Sequence, residues 1–174
     1  VAKDAKHKRK RGLIQLCTIV DAWAPEAQQY DLGRRCLKAI LSEPGWSVRI
    51  LTKNAAVEKD FDLIEKHRDR ILFGMSITAV PSKQKMISHI EPYACPIEER
   101  ISVMKKAHRL GFRTYAMFCP LLPNIADGQE DTDYMAKLAA DFCAEEIFVE
   151  PVNSRGPGLA LTQRILKEHG FHYE

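Results

Sequence analysis

At 174 residues the chain is long enough to bury a substantial core within one domain. Its 45% hydrophobic and 28% charged residues exclude a disordered or fibrous chain, and no run approaches the roughly 20 apolar residues of a membrane span. A net charge of +3 is too small to mark a nucleic-acid-binding protein by itself.

The chain opens Val1-Ala2-Lys3-Asp4 with no apolar run ahead of the first strand, so no signal peptide is expected. The missing Met suggests an excised or processed start. Residues 1–12 read as a basic arm. Its run Lys6-His7-Lys8-Arg9-Lys10-Arg11 could grip phosphates, but no aromatic residue is interleaved, which favours a solvated arm over a DNA contact. Residues 13–174 read as one domain, without a low-complexity linker.

Five short, nearly continuous apolar runs follow in chain order: Leu13–Val20, Val48–Leu51, Ile71–Ile77, Thr114–Phe118 and Ile147–Glu150. Such runs are expected of strands buried on both faces of a parallel sheet. After the first, Pro25 suits a first helical turn and Glu26 the positive end of a helix. Tyr30, Gly33, Leu37, Ile40 and Leu41 then make one helical face, stopped by Pro44-Gly45. Phe61, Leu63 and Ile64 mark a shorter helix. Lys83–Ile90 and Pro96–Leu110 mark two more, the second ending at Gly111. Met135, Leu138, Ala139 and Phe142 line the next, and Leu161, Ile165 and Leu166 line the last.

A strand–helix unit repeated five times requires parallel strands and right-handed crossovers. Five units are too few for an eight-stranded barrel, and neither G-x-G-x-x-G nor a Walker loop is present. The five cysteines, Cys17, Cys36, Cys95, Cys119 and Cys143, include no close pair. They support neither a zinc site nor a disulfide framework and fit reduced thiols of a cytoplasmic protein.

Ligands of parallel α/β folds bind beyond the C-terminal ends of the strands. There the sequence places Asp21 and Glu26, then Thr52-Lys53-Asn54, Ser76-Ile77-Thr78, Cys119-Pro120, and Glu150 to Gly156 with Asn153 and Arg155. A rim mixing an ammonium, hydroxyls, amides, carboxylates and a guanidinium suits a zwitterionic ligand carrying a ribose. Helix capping is the competing reading for Thr52, Asn54 and Ser76.

Six segments at these ends resemble, in order, the spore photoproduct lyase-like group of radical S-adenosylmethionine (SAM) proteins. Cys17-Thr18-Ile19-Val20-Asp21-Ala22-Trp23-Ala24-Pro25-Glu26 is similar to that group's strand-to-helix turn, T-D-x-[YW]-x-P-x-E or close to it. Ile50-Leu51-Thr52-Lys53-Asn54 resembles I-L-T-K-[ST], and Phe73-Gly74-Met75-Ser76-Ile77-Thr78 resembles [VF]-x-x-S-I-T. Glu91-Pro92 to Arg100 is similar to E-P-x-x-[PS]-x-x-x-R, Cys119-Pro120-Leu121-Leu122-Pro123 to A-P-[IL]-[IL]-P, and Asn153-Ser154-Arg155-Gly156 to N-x-R-G. Together they cover nearly the whole chain from Leu13 to Gly170.

The resemblance implies an open, partial parallel (β/α) barrel of about five units in which SAM lies across the strand tops. It implies that Lys53 and Ser76 hold the methionyl carboxylate, a charge-assisted pairing. Asp21 and Glu26 would face the SAM amine or substrate, with Cys119, Asn153 and Arg155 near the cofactor and Glu91–Arg100 as an ion pair anchoring the loop above. Cys17 matches a hydrogen-atom donor of true spore photoproduct lyases, although a small cysteine within a strand is commonplace. The implied activity is that of a lyase of the DNA-repair type.

One departure stands out. Three thiolates hold a [4Fe–4S] cluster of this kind, and no C-x-x-x-C-x-x-C occurs here. The expectation is that a longer parent carries the cluster, and that this chain lacks the first βα unit, binds no metal and is inactive alone. One barrel edge would then be open to association or covered by the arm. A nucleic-acid-binding module or a non-catalytic scaffold without radical chemistry is the alternative.

Overall fold

The computed structural model describes residues 1–7 and 11–171. Its frame is a parallel arc: β1 (Gly12–Leu16), β2 (Trp46–Thr52), β3 (Ile71–Met75), β4 (Arg113–Thr114), β5 (Ala116–Leu121) and β6 (Ile147–Pro151). β1, β2, β3 and β4 pair in that order, and β5 pairs with β6, all parallel. Tyr115 alone separates β4 from β5. The arc is continuous across that break, because Tyr115 N donates to Phe73 O at 3.0 Å and Ile77 N to Met117 O at 2.8 Å. The fourth expected strand is therefore one strand interrupted at Tyr115, and the five-unit open arc is observed. Among the described residues β1 and β6 each pair on one side only.

Alternation along the strands builds two apolar layers. Val48, Ile50, Ile71, Phe73, Met75, Ala116 and Phe118 face the helices and join the main core. Leu72, Tyr115 and Met117, with Leu51, Cys119 and Phe148 against them, form a second cluster on the concave side. Gly74 is dictated by that side: a Cβ there would lie 2.5 Å from the Tyr115 ring.

The helices are α1 (Ala2–Ala5), α2 (Pro25–Gln28), α3 (Leu32–Leu41), α4 (Phe61–Lys66), α5 (Gln84–Ile90), α6 (Ile97–Arg109), α7 (Gln129–Asp141) and α8 (Gly158–Glu168). Pro25 occupies the first turn of α2 as expected. Gly33 of α3 gives room for the Trp23 indole, whose Nε1 donates to the buried Asp60 at 2.8 Å.

Four expectations need correction. The first strand ends at Leu16 rather than Val20: Cys17 takes a left-handed φ of 68°, and Ile19 and Val20 beyond it are 94% and 73% exposed. Tyr30 does not share the buried face of α3. It lies ahead of the helix, 62% exposed, because Asp31 breaks the backbone with φ 49°. Leu161 is exposed on α8, where Leu166 is the buried anchor. The N-terminal arm is not wholly solvated: Ala5 is buried and its carbonyl accepts from Trp46 Nε1 at 2.9 Å. Of the basic run, Lys8, Arg9 and Lys10 lie outside the described residues.

Candidate functional site

Curvature of the arc brings side chains from β1, β2, β5 and β6 together around a chamber of about 330 Å³ on the concave side. Leu51 and Met117 give it apolar walls, and Thr18, Cys119 and Glu150 stand at its C-terminal end. Gln15, Arg49, Tyr115 and Phe148 close it toward the strand starts.

The base is held by a long reach. The Arg49 guanidinium spans from β2 to Glu146, just ahead of β6, and pairs with its carboxylate. On the way it lies 4.8 Å from the Phe148 ring centroid and 5.5 Å from that of Tyr115, a cation–π arrangement. The two rings meet edge to face at 5.9 Å. Burial pushes the Tyr115 phenol up to about 12, so its hydroxyl stays neutral. The Tyr115 oxygen accepts a long contact of 3.4 Å from Gln15 Nε2. Arg49 Nε is buried with no hydrogen-bond partner among the described residues.

A second polar cluster ties the strand tops together around Glu91, which follows α5. Its Oε2 accepts from Arg100 at 2.8 Å and its Oε1 pairs with Lys53. The Thr78 hydroxyl lies 2.6 Å from that same Oε1 and 3.3 Å from the Cys119 carbonyl. Burial works against ionisation of Glu91, but Lys53 and Arg100 outweigh it and hold the carboxyl below its usual range. Arg100 is 1% exposed and also donates to Cys95 O and Ser76 O. The expected Glu91–Arg100 ion pair is present and fixes the loop between α5 and α6.

The other sequence-predicted residues divide. Ser76 is buried and its hydroxyl donates to the Cys119 carbonyl at 2.5 Å, so it clasps β3 to β5. Lys53 instead lines an open rim groove of about 280 Å³ with Asp21, Asn54 and Tyr93. Asp21 accepts from Thr52 Oγ1, Lys53 N, Asn54 Nδ2 and Trp23 N, all within 2.9 Å, and so locks the turn after β1 to the end of β2. Glu26 is exposed on α2, and Arg155 is exposed with its N–H on Asn153 Oδ1 at 2.9 Å. Cys17 packs against the helix-facing core, and its sulfur accepts from Ala22 N at 3.2 Å. Burial pushes the Cys17 thiol up to about 12, and burial also raises that of Cys119. Of the residues named at the strand ends, Cys119 and Glu150 line the chamber, with Cys119 Sγ 3.8 Å from Glu150 Oε2.

Sequence reasoning about strand ends missed the base of the chamber. Its signal was present: Gln15 and Arg49 are polar residues at mid-strand, inside otherwise largely apolar runs. The described residues contain no group of three or more His, Cys, Asp or Glu able to hold a metal ion. The described residues do not bring together the three thiolates that an iron–sulfur cluster of this kind requires. No helix among the described residues is long and apolar enough to cross a membrane.

No family model matches the sequence. An uncharacterized protein of Acidianus two-tailed virus is 29% identical over 170 residues, covering 95% of this chain and 55% of the relative. An uncharacterized protein of Methanocaldococcus jannaschii is 31% identical over 122 residues, covering 70% and 45%. The chain thus spans about half the length of the curated relatives it matches. Among solved structures, a spore photoproduct lyase mutant with bound AdoMet and dinucleoside spore photoproduct superposes with a TM-score of 0.66. It is 12% identical and covers 96% of this chain and 48% of that one. A second mutant of the same enzyme gives 0.66 at 14% identity, with 99% and 50% coverage. At this identity the likeness is one of fold: the chain has the open α/β arc of these lyases.

Proposed function

We propose that this chain is the SAM-binding barrel portion of a radical SAM enzyme, a lyase acting on a DNA-like substrate. The observation that carries the reading is the chamber on the concave side of a fold shared with a lyase that binds AdoMet and a dinucleoside. The six ordered segments at its strand ends support it independently.

The residues present fit SAM in part. Glu150 meets no cation within salt-bridge distance among the described residues and stands at the mouth of the chamber, a partner for the ligand's ammonium or sulfonium. Lys53 is the cation at the rim, and it shares itself between Glu91 and any incoming carboxylate. Ser76 acts one step back, holding the Cys119 carbonyl and so the shape of the strand end on which the nucleoside would rest. Asp21 does the same for the end of β2. Glu26, Asn153 and Arg155 remain at the exposed rim, free of side-chain ion pairs, as contacts for the outer part of the ligand or substrate. Bound SAM supplies the radical chemistry of this enzyme group. Cys17 packs against the helix-facing core and does not line the chamber, so its placement lends no support to a hydrogen-donor role.

The cluster that drives SAM cleavage must be held by residues outside these 174. The test is a pair of anaerobic reconstitutions with iron and sulfide, followed by an assay for 5′-deoxyadenosine. The full-length protein should release it and this chain should not. A stoichiometric cluster on this chain, or a full-length protein that never cleaves SAM, would sink the reading.

A further inference from the structure

We propose that Arg49 is the specificity-determining residue at the base of the chamber, its Nε–H reading the carbonyl edge of a flat, neutral ring. Calling that ring the substrate's rests on the function proposed above; the binding site itself does not.

The donor is in place and unused. Arg49 Nε is buried without a partner among the described residues, although Nη2 of the same guanidinium engages Glu146. A buried N–H left unmade costs about 1–3 kcal/mol, which a ligand acceptor would recover. The Glu146 pair and the Tyr115 and Phe148 rings hold the plane of the guanidinium.

Its neighbour on β1 is loosely held. Gln15 is the register partner of Arg49 on β1, and both line the chamber. Its amide makes two contacts, to Leu16 O and Tyr115 OH, each at the weak length of 3.4 Å. Gln15 is therefore free to move aside for a ligand at the base of the chamber.

Size and charge narrow the class. At about 330 Å³ the chamber is at the small end for ligand sites, and its base suits a single ring system. Leu51, Met117 and Phe148 offer apolar faces for stacking. One guanidinium stands against two carboxylates, Glu146 and Glu150, so a phosphate is repelled while a neutral carbonyl is accepted. The fitting group is a lactam or imide edge on a planar ring.

Hypoxanthine and adenine provide the test, since they share a shape and differ in presenting a carbonyl or an amino group at one edge. Each is titrated into the chain carrying isotope-labelled arginine, following the Arg49 Nε–H cross-peak. Hypoxanthine should shift it and bind roughly tenfold or more tightly than adenine, as a site built around one hydrogen bond discriminates. Arg49→Lys keeps a cation for Glu146 but lacks this donor, and should abolish the preference. Gln15→Ala should preserve it. Equal affinities, no binding of either purine, an unmoved cross-peak, or a preference that survives Arg49→Lys would each overturn the proposal. SAM titrated into the same samples separates the two ideas. SAM binding without purine preference removes the role of Arg49 alone, whereas purine preference without any SAM binding by the full-length protein removes the radical SAM reading and leaves the subsite standing.

Discussion

Gly74 and Tyr115 fit each other across neighbouring strands, with the tyrosine ring lying where a Cβ on residue 74 would sit, 2.5 Å from its Cε1. The ring fills the concave side of β3 and in turn supports the Arg49 guanidinium at 5.5 Å. A single methyl at position 74 therefore disturbs the whole base of the chamber.

Gly74→Ala should destabilise the chain by about 1–3 kcal/mol through overpacking. Removing the ring edge as well, in Gly74→Ala/Tyr115→Leu, should leave a pair less costly than the sum of the single changes. Urea unfolding of the four proteins gives the coupling energy. Additive costs would mean that the two side chains do not compete for the same space.

Glu91 links stability to acid. Its carboxyl titrates lower in the folded chain than in the unfolded one, so its contribution is complete above the unfolded value, about 4.3. That contribution falls away as the pH drops through the lower folded value. Glu91→Ala leaves the 1%-exposed Arg100 without its counterion and should cost about 3–5 kcal/mol at neutral pH. Glu91→Gln should cost less and flatten the loss of stability below pH about 4. Urea midpoints measured from neutral to acid pH check both, and a Glu91→Gln curve parallel to wild type would refute the linkage.

The central run Ile71–Met75 is buried on both faces as expected, whereas β1 and β6 at the ends carry the same pattern but lie exposed or half-buried. The arc was legible from these apolar runs. The end of β1 was not, because Thr18, Ile19 and Val20 continue a β-branched run while Cys17 turns the chain with a φ no composition reveals. Glu91 and Arg100 could be paired in advance, since they flank one short loop and helix start. The chamber could not. Its residues come from four strands separated by up to 135 positions, from Gln15 to Glu150, and only curvature brings them together. Mid-strand Gln15 and Arg49 were the one available signal.

Burial ranks the thiols. Cys143 is the exposed cysteine, whereas Cys17, Cys95 and Cys119 are partly buried and burial raises each of them. With Cys17 at about 12, its thiolate fraction near pH 8 is on the order of one in ten thousand. Iodoacetamide should therefore modify Cys143 first and Cys17 only as the pH approaches that value. Peptide mass spectrometry over a pH series reads the order directly. Prompt alkylation of Cys17 at neutral pH would show a thiolate there and refute the ranking by burial.

Lys53 separates a structural cation from a binding one. Its ammonium touches Glu91 and lies 3.5 Å from the Thr78 hydroxyl, yet its side chain is 27% exposed and opens on the rim groove. Glu91 keeps Arg100 at 2.8 Å when Lys53 is removed, so no buried charge is orphaned. A partly exposed pair of this kind contributes about 1 kcal/mol or less, and Lys53→Met should shift the urea midpoint only slightly. If the ammonium also receives the methionyl carboxylate, a charge-assisted bond worth about 1.5–3 kcal/mol is lost with it. SAM affinity of the full-length protein should then fall roughly tenfold to a hundredfold. Lys53→Arg keeps the charge and should restore part of that loss. Unchanged SAM affinity in Lys53→Met, alongside a large loss of stability, would assign Lys53 to the loop anchor alone and leave Glu150 as the charged contact to test next.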